Sequence, residues 1–482
     1  MNVAGIFEEA GLEPREKQLV VAQMIAENIH DHNILLVAPP GWGKTLAVLA
    51  ALKAAKKLPS LWLVRALTLG ARVSEDAIKL GLRPLVLAGR EKTCPFYRSV
   101  DDLAEYCRLH RAGCPHFRGL LELAPELGKM LITSYEDVSP GVCKYYIDLF
   151  VKADIVIQNY HRRRPATPEV TVIDEAHNLT TPQASRFSAL SLEIALDAVK
   201  DRASYLYPEL EKVVEELKLD DIATMEELFT IHQEMLTKTG KSPLTPLVKF
   251  LKALAGGGVA YREGGVIEVY HPPLLRRLPP TRRVFLSATI PKEVEKVFNS
   301  FTIRIPAKPR KAFIISDVTS KYGQETVWGF AKILAALRKH YRRNLVFSTE
   351  RILRQLLHFI DFYEERLPSD WQGVAAYNIF GRFSEGVDIR ADTVTVLGTP
   401  YLPPDVTPRY RKYFEGLGIG EPEIVIPVSA TLQAVGRATR HPQDNPLILL
   451  ADYRFRRFRL DALDVEEIEV KDVERRGYLP QS

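Results

Sequence analysis

The sequence predicts an α/β protein of two units, each a parallel sheet covered by helices, and three observations carry that expectation. A short apolar run, Ile34 to Ala38, enters a Pro/Gly loop that opens a helix-forming stretch from Lys44 to Lys57. Further apolar runs at Leu61–Val64, Pro84–Leu87, Ile155–Ile157 and Val170–Ile173 alternate with helical patterns. Such alternation requires crossover connections and gives parallel strands buried on both faces. From about Thr302 the alternation begins again, without a second phosphate loop.

Composition bounds the function. The chain has 482 residues, 46% hydrophobic and 26% charged, which is an ordinary soluble globular balance. A net charge of +5 is weak for this length, so it permits nucleic-acid binding without arguing for it. The segment Met1–Gly11 is acidic at Glu8 and Glu9 and lacks a basic stretch followed by an apolar one, so no export signal is read. No run reaches the roughly 20 apolar residues of a membrane span. The expectation is a soluble cytoplasmic protein without a membrane partner, whose cysteines stay reduced.

Taken in order, the chain first offers Glu13-Pro-Arg-Glu-Lys-Gln18 ahead of an amphipathic helix. Arg15 and Gln18 there can hold an adenine edge, since a carboxamide both donates and accepts; a solvated helix start reads equally well. The stretch Ala38-Pro-Pro-Gly-Trp-Gly-Lys-Thr45 follows. Strand, glycine-rich loop and helix together make a phosphate-binding loop, with Gly41 and Gly43 letting backbone amides face the ligand. Lys44 would reach the β- and γ-phosphates and Thr45 would bind Mg²⁺. Ala38 stands where glycine is usual, and Trp42 where a small residue is common.

All four cysteines, Cys94, Cys107, Cys114 and Cys143, lie in one block. Clustered cysteines in a reducing compartment point to metal before disulfides. Zinc sites usually use close cysteine pairs, and every gap here is wider. The spacing suits an iron–sulfur cluster, with zinc and unrelated buried thiols as the alternatives. Arg90, Lys92, Phe96, Tyr97, Arg98 and Tyr145 are among the basic and aromatic residues interleaved there. That mixture fits single-stranded nucleic acid or simply the packing of a small domain.

The apolar strand Val170–Ile173 ends in Asp174-Glu-Ala-His177. Asp174 is placed to hold Mg²⁺ and Glu175 to polarise the attacking water. Helical patterns run from roughly Leu179 to Leu254, including the Leu210, Val213, Val214, Leu217 stripe. A strand returns at Arg283–Ile290 and ends in Ser287-Ala-Thr289. The second unit is expected to hold strands at Ala312–Ser316, Asn344–Ser348 and Ala375–Phe380, and helices at Gln324–His340 and Arg351–Leu367. It also carries the polar loop Gly381–Asp388 and a helix-like Gln433–Arg440. Arg437 and Arg440, three apart, share a helix face. They would form a phosphate clamp, or else a surface charge pair.

In order and placement, these stretches resemble a superfamily-two helicase, and more narrowly the XPD family of iron–sulfur helicases. The segments that carry the resemblance are Arg15–Gln18, Ala38–Thr45, Val64-Arg65, Asp174–His177, Ser287–Thr289, Val346–Thr349, Gly381–Asp388 and Gln433–Arg440. The resemblance implies two RecA-like motor domains, with an iron–sulfur insertion and a helical arch insertion in the first. The implied boundaries are 1–89, 151–178 and 266–301 for motor domain 1, 90–150 for the cluster domain, 179–265 for the arch and 302–482 for motor domain 2. It further implies ATP, Mg²⁺ and a 4Fe–4S cluster on the four cysteines, and a DNA-repair helicase moving 5′-to-3′ on single-stranded and forked DNA as a monomer. Gln433 joins the nucleotide-binding residues, and Arg65, Ser287, Thr289, Ser348, Ser384, Glu385 and Asp388 are the implied DNA-binding or coupling residues. The Cys107–Cys114 gap is wider than the family's usual spacing. An alternative keeps the ATPase but has it remodel protein–DNA complexes without separating strands.

Overall fold

The computed structural model describes residues 2–39, 41–162, 168–288, 290, 292–306, 308–381, 389–404, 406–438 and 444–475. In chain order its strands are β1 (Asn33–Val37), β2 (Ser60–Val64), β3 (Pro84–Leu87), β4 (Ile155–Asn159), β5 (Val170–Ile173), β6 (Ala184–Ser188), β7 (Val259–Glu263) and β8 (Val266–Tyr270). The series continues with β9 (Arg282–Ser287), β10 (Ser300–Arg304), β11 (Arg310–Ile315), β12 (Arg343–Ser348), β13 (Phe362–Tyr363), β14 (Gly373–Asn378), β15 (Thr393–Leu397), β16 (Leu447–Ala451) and β17 (Leu463–Ile468). They fall into two seven-stranded sheets and one three-stranded sheet. Two compact units are present, Met1–Glu13 with Leu49–Arg283, and Pro14–Val48 with Val284–Ser482.

In the first unit β2 pairs in parallel with both β4 and β5, and β4 with β3. Every residue of β2, β3 and β5 is buried, which explains their unbroken apolar sequences. The cysteine-bearing segment leaves the sheet after β3. Its helices Leu103–His110 and Pro115–Leu127 and the 3-10 turn Lys144–Leu149 share a small core with Leu120, Leu127, Tyr145 and Ile147. Asp102 caps the first of these helices by accepting from Glu105 N at 3.2 Å.

A second insertion follows β5. Helices Ala189–Arg202, Tyr207–Glu216, Ala223–Thr239 and Thr245–Ala255 close on Leu192, Leu210, Leu247 and Phe250. The helical expectation holds for these four. It does not hold at Ala184–Ser188, which pairs antiparallel with β8, as β7 also does. Its side chains alternate in exposure, a period-two pattern that suits an edge strand. The two insertions dock on each other: Ser242 N donates to Asp101 Oδ2 at 2.8 Å and Gln233 Nε2 to Glu105 Oε1 at 3.1 Å.

In the second unit β1 lies between β10 and β9, parallel to both. The other seven-stranded sheet runs β13-β14-β12-β15-β16-β11-β17, and its pairings are all parallel. Helix Val327–His340 covers one face through Phe330, Ile333 and Leu337. Helix Pro422–Gly436 covers the other through Val428, Ala434 and Val435. The long helix expected over Arg351–Leu367 is instead a short helix Glu350–Gln355, a 3-10 turn Leu357–Phe359 and the edge strand β13. Aromatic Phe362 and Tyr363 favour a strand, and the Asp361 carboxylate locks the segment to β14 by accepting from Val374 N at 2.8 Å. Strands β15, β16 and β17 were not anticipated from the sequence.

Candidate nucleotide-binding, carboxylate and cysteine sites

The phosphate loop leaves β1 at its C-terminal end. Ala38 is fully buried, and its N–H donates to Ser287 O at 3.1 Å, so the loop starts from a fixed point at the end of β9. Gly41 and Gly43 have φ of 72° and 95°, values that glycine alone adopts without strain. Lys44 opens the helix Lys44–Ala54, and its ammonium turns back to donate to Ala38 O at 2.9 Å and Pro39 O at 3.3 Å. Thr45 follows in the first helical turn, half-buried. The loop's amides, a helix N-terminus and a lysine are thereby gathered in a form suited to polyphosphate.

Gln18, only 2% exposed, clasps this loop. Its Nε2 donates to Gly43 O at 3.0 Å and its Oε1 accepts from Arg15 N at 2.9 Å. A carboxamide oxygen has two lone pairs and its nitrogen two hydrogens, so both retain capacity for a ligand. The Arg15 side chain is exposed.

In the first unit, β5 delivers Asp174 and Glu175. Asp174 N donates to Leu63 O at 2.9 Å, and Glu175 N donates to Asp174 Oδ1 at 3.0 Å. Glu175 has φ 51°, a left-handed conformation that costs a non-glycine residue roughly 1–2 kcal/mol. The turn is held from below. The Tyr160 hydroxyl donates to Asp174 O and, at 3.3 Å, to Glu175 O. His177 Nδ1 stands 3.4 Å from Glu175 Oε2. Burial and then the neighbouring Asp174 and Glu175 carboxylates push the Tyr160 hydroxyl well above its ordinary pKa, so it remains a donor. Arg65, at the end of β2, donates to Asn178 Oδ1 and accepts at its carbonyl from Asn159. Burial lowers the Arg65 pKa, against the opposing pull of Tyr160 and Glu175.

Arg65, Tyr160 and Asn178 also line a cavity of about 1110 Å³, together with Gln158, His161 and Arg162. Tyr160 and Asn178 were not singled out from the sequence. A signal was available, because in parallel sheets functional groups gather at the C-terminal ends of strands and Tyr160 follows β4 directly.

The four cysteines converge. Cys94, Cys107, Cys114 and Cys143 line one cavity of about 200 Å³, walled by Phe96, Phe117, Tyr146 and other side chains. The Cys107 thiol lies 3.9 Å from the Tyr146 hydroxyl, to which Arg90 donates at 3.2 Å. Burial pushes the Cys94 and Cys143 thiols above their ordinary pKa, and the nearby Cys107 and Cys114 add to it. Neutral thiols become strong ligands only on losing that proton. Among the described residues, no three His, Cys, Asp or Glu side chains form a group that could hold a single metal ion.

In the second unit, Gln433 lies half-buried on helix Pro422–Gly436, and Arg437, 9% exposed, is that helix's C-cap residue. The two are four residues apart and lie on the same side of the helix. Ser348 is buried and its hydroxyl donates to Leu397 O, and Ser287 is buried at the end of β9. Thr289, Ser384, Glu385, Asp388 and Arg440 lie outside the described residues. The loops after β11, β15 and β16 meet on a buried carboxylate: Asp452 accepts from Ser320 N at 2.9 Å, Thr399 N at 3.0 Å and the Arg454 guanidinium at 2.7 Å.

Residues 332–463 match the helicase C-terminal domain family. No curated protein matches the chain. Among solved structures, an XPD helicase aligns with a TM-score of 0.69 at 19% identity, covering 95% of this chain and 100% of the other. An apo XPD structure aligns at 0.64 with 18% identity over 93% and 100%. Xpd4 of S. tokodaii aligns at 0.61 with 19% identity over 94% and 100%. The chain therefore has the fold of the XPD helicases, two RecA-like parallel-sheet domains with insertions, and the stretch similar to the helicase C-terminal domain family lies within its second half.

Proposed function

We propose that the protein is an ATP-dependent DNA helicase of superfamily two. The observation that carries this is the phosphate loop, with Gly41 and Gly43 at positive φ and Lys44 and Thr45 opening a helix. The likeness in fold to XPD helicases supports the same reading. Lys44 and Thr45 bind the phosphates and, with Asp174, Mg²⁺. Glu175 orients the attacking water, and Gln433, Arg437 and Arg440 meet the nucleotide's phosphates. Arg15 and Gln18 serve the base. Arg65, Ser287, Thr289, Ser348, Ser384, Glu385 and Asp388 bind DNA or couple it to hydrolysis.

The cysteine cavity fits a 4Fe–4S cluster, since four thiols face one space far larger than a single ion needs. When bound, such a group would brace a domain whose own apolar core is small. Cys94, Cys107, Cys114 and Cys143 would each give up a proton to hold it. The boundaries set out from the sequence, with a cluster domain at 90–150 and an arch at 179–265, are part of the same proposal. So are 5′-to-3′ movement on single-stranded and forked DNA, a role in DNA repair, a monomeric state and a cytoplasmic location.

Lys44→Ala is expected to abolish ATP hydrolysis stimulated by single-stranded DNA, and undiminished turnover would defeat the proposal. Strand displacement on 5′- and 3′-tailed duplexes separates a helicase from a translocase that only remodels protein–DNA complexes.

A further inference from the structure

Asn178 follows the Asp174–His177 turn directly and is 6% exposed. Both ends of its carboxamide are engaged. Its Oδ1 accepts from the Arg65 guanidinium, and its Nδ2 donates to Glu175 O at 3.0 Å. Its backbone N–H donates to that same carbonyl at 3.0 Å. With the Tyr160 hydroxyl at 3.3 Å, three donors converge on the carbonyl of the one acidic residue held at left-handed φ in this turn. A residue kept in such a conformation depends on its neighbours to stay there. The direction of the Glu175 side chain is therefore set in part by Asn178. On their far side, Arg65 and Asn178 line the cavity of about 1110 Å³.

We propose that Asn178 is a positioning residue that passes the occupancy of this cavity, through Arg65, to the Glu175 carboxylate. The occupant is the phosphate backbone of an unpaired nucleic-acid strand. Arg65 lines the cavity wall, and a phosphate oxygen is a stronger acceptor for a guanidinium than a neutral amide oxygen is. A phosphate that captures Arg65 releases Asn178 Oδ1. Asn178 remains tied to Glu175 O through two donors, so its movement carries the Glu175 peptide and reorients the carboxylate. The inference rests on the ATPase reading above and names how that site would be regulated.

The test measures ATP turnover of the full chain with and without a single-stranded oligonucleotide. Wild type, Arg65→Ala, Asn178→Ala, Asn178→Asp and the Arg65→Ala/Asn178→Ala double variant are compared. The wild type is expected to be stimulated. Asn178→Ala is expected to lose about fivefold or more of the stimulation factor, with the KM for ATP within about twofold of wild type, as for a change in kcat alone. Because the two side chains act as one unit, the double variant should lose no more stimulation than Arg65→Ala alone. Asn178→Asp keeps the volume and the acceptor for Arg65 but removes the side-chain donor to Glu175 O, leaving only the backbone N–H. It carries the test if the alanine variant melts early, and the same loss is expected of it. Stimulation within about twofold of wild type in both Asn178 variants, or losses that add in the double variant, would overturn the relay. A wild type that hydrolyses ATP without stimulation also overturns it. A wild type with no ATPase brings down the enzyme reading itself, which is a distinct outcome.

Discussion

At Gly43 the backbone runs at φ 95°, and an added Cβ would stand 2.6 Å from Gln18 Nε2. Gly43→Ala therefore meets two separate costs. Holding an L-residue at that φ costs about 2 kcal/mol. Displacing the buried Gln18 amide from Gly43 O, a 3.0 Å bond, costs a further 1–2 kcal/mol or so. The loop relieves both by moving, and the moved loop no longer presents its amides to phosphate. A penalty of about 3 kcal/mol on the binding conformation corresponds to roughly 100-fold weaker nucleotide affinity. Titration calorimetry with ATP and Mg²⁺ reads the affinity, and a thermal melt reads any global loss. Gly265→Ala serves as the control, because nothing lies within 4 Å of a Cβ there and its φ is outside the left-handed range; it should change stability by no more than about 0.5 kcal/mol. If Gly43→Ala bound ATP within about threefold of wild type at an unchanged melting temperature, the reasoning from φ and the Gln18 contact would be refuted.

Two other expectations concern the insertions of the first unit. Protein purified without oxygen should be brown and carry about four irons per chain, and Cys143→Ser should lose both the colour and the iron while lowering the melting temperature; colourless protein with one zinc would contradict the cluster. Asp102 supplies the second. Burial alone would raise its pKa, but His232, Glu105 N and the Lys252 and Lys249 charges bring it down to about 2. A depressed carboxylate stabilises the fold above its unfolded pKa of about 3.9 and loses that contribution as pH falls towards the folded value. The stability gap between wild type and Asp102→Asn, about 2 kcal/mol at neutral pH, should therefore shrink between about pH 4 and pH 2. Denaturant unfolding at several pH values checks this, and a gap that stays constant to low pH would count against it.

Legibility varied along the chain for physical reasons. The phosphate loop could be read from a dozen residues because its geometry is local: two glycines, a lysine and a helix start fix it. The strands β2, β3 and β5 were equally plain, since burial on both faces makes each an apolar run. The segment 351–367 misled, because a helical pattern of apolar residues was overridden by the pairing of Phe362 and Tyr363 with β14. Strand β6 was missed for a similar reason, as its partner β8 lies some eighty residues further on. In the carboxylate turn, Asp174 and Glu175 were legible as a strand ending in two acids. Tyr160, which holds that turn, was not, because it arrives from another strand, and Arg65, named for DNA coupling, gave no sign of its link to the turn through Asn178.

The sequence by itself determined the parts whose function is set by neighbours along the chain. These are the phosphate loop, the acidic pair at a strand end, the alternation of strands and helices, and the presence of four cysteines in one block. Tertiary structure alone decided which distant groups meet. It brought thiols separated by up to 49 positions around one cavity of about 200 Å³, placed Gln18 under Gly43, and joined Arg65 to Glu175 through Asn178. The physical reason is that side-chain contacts between strands depend on register and crossover, which no local pattern encodes. Backbone conformation at a glycine-rich turn is encoded locally, and so it could be read directly.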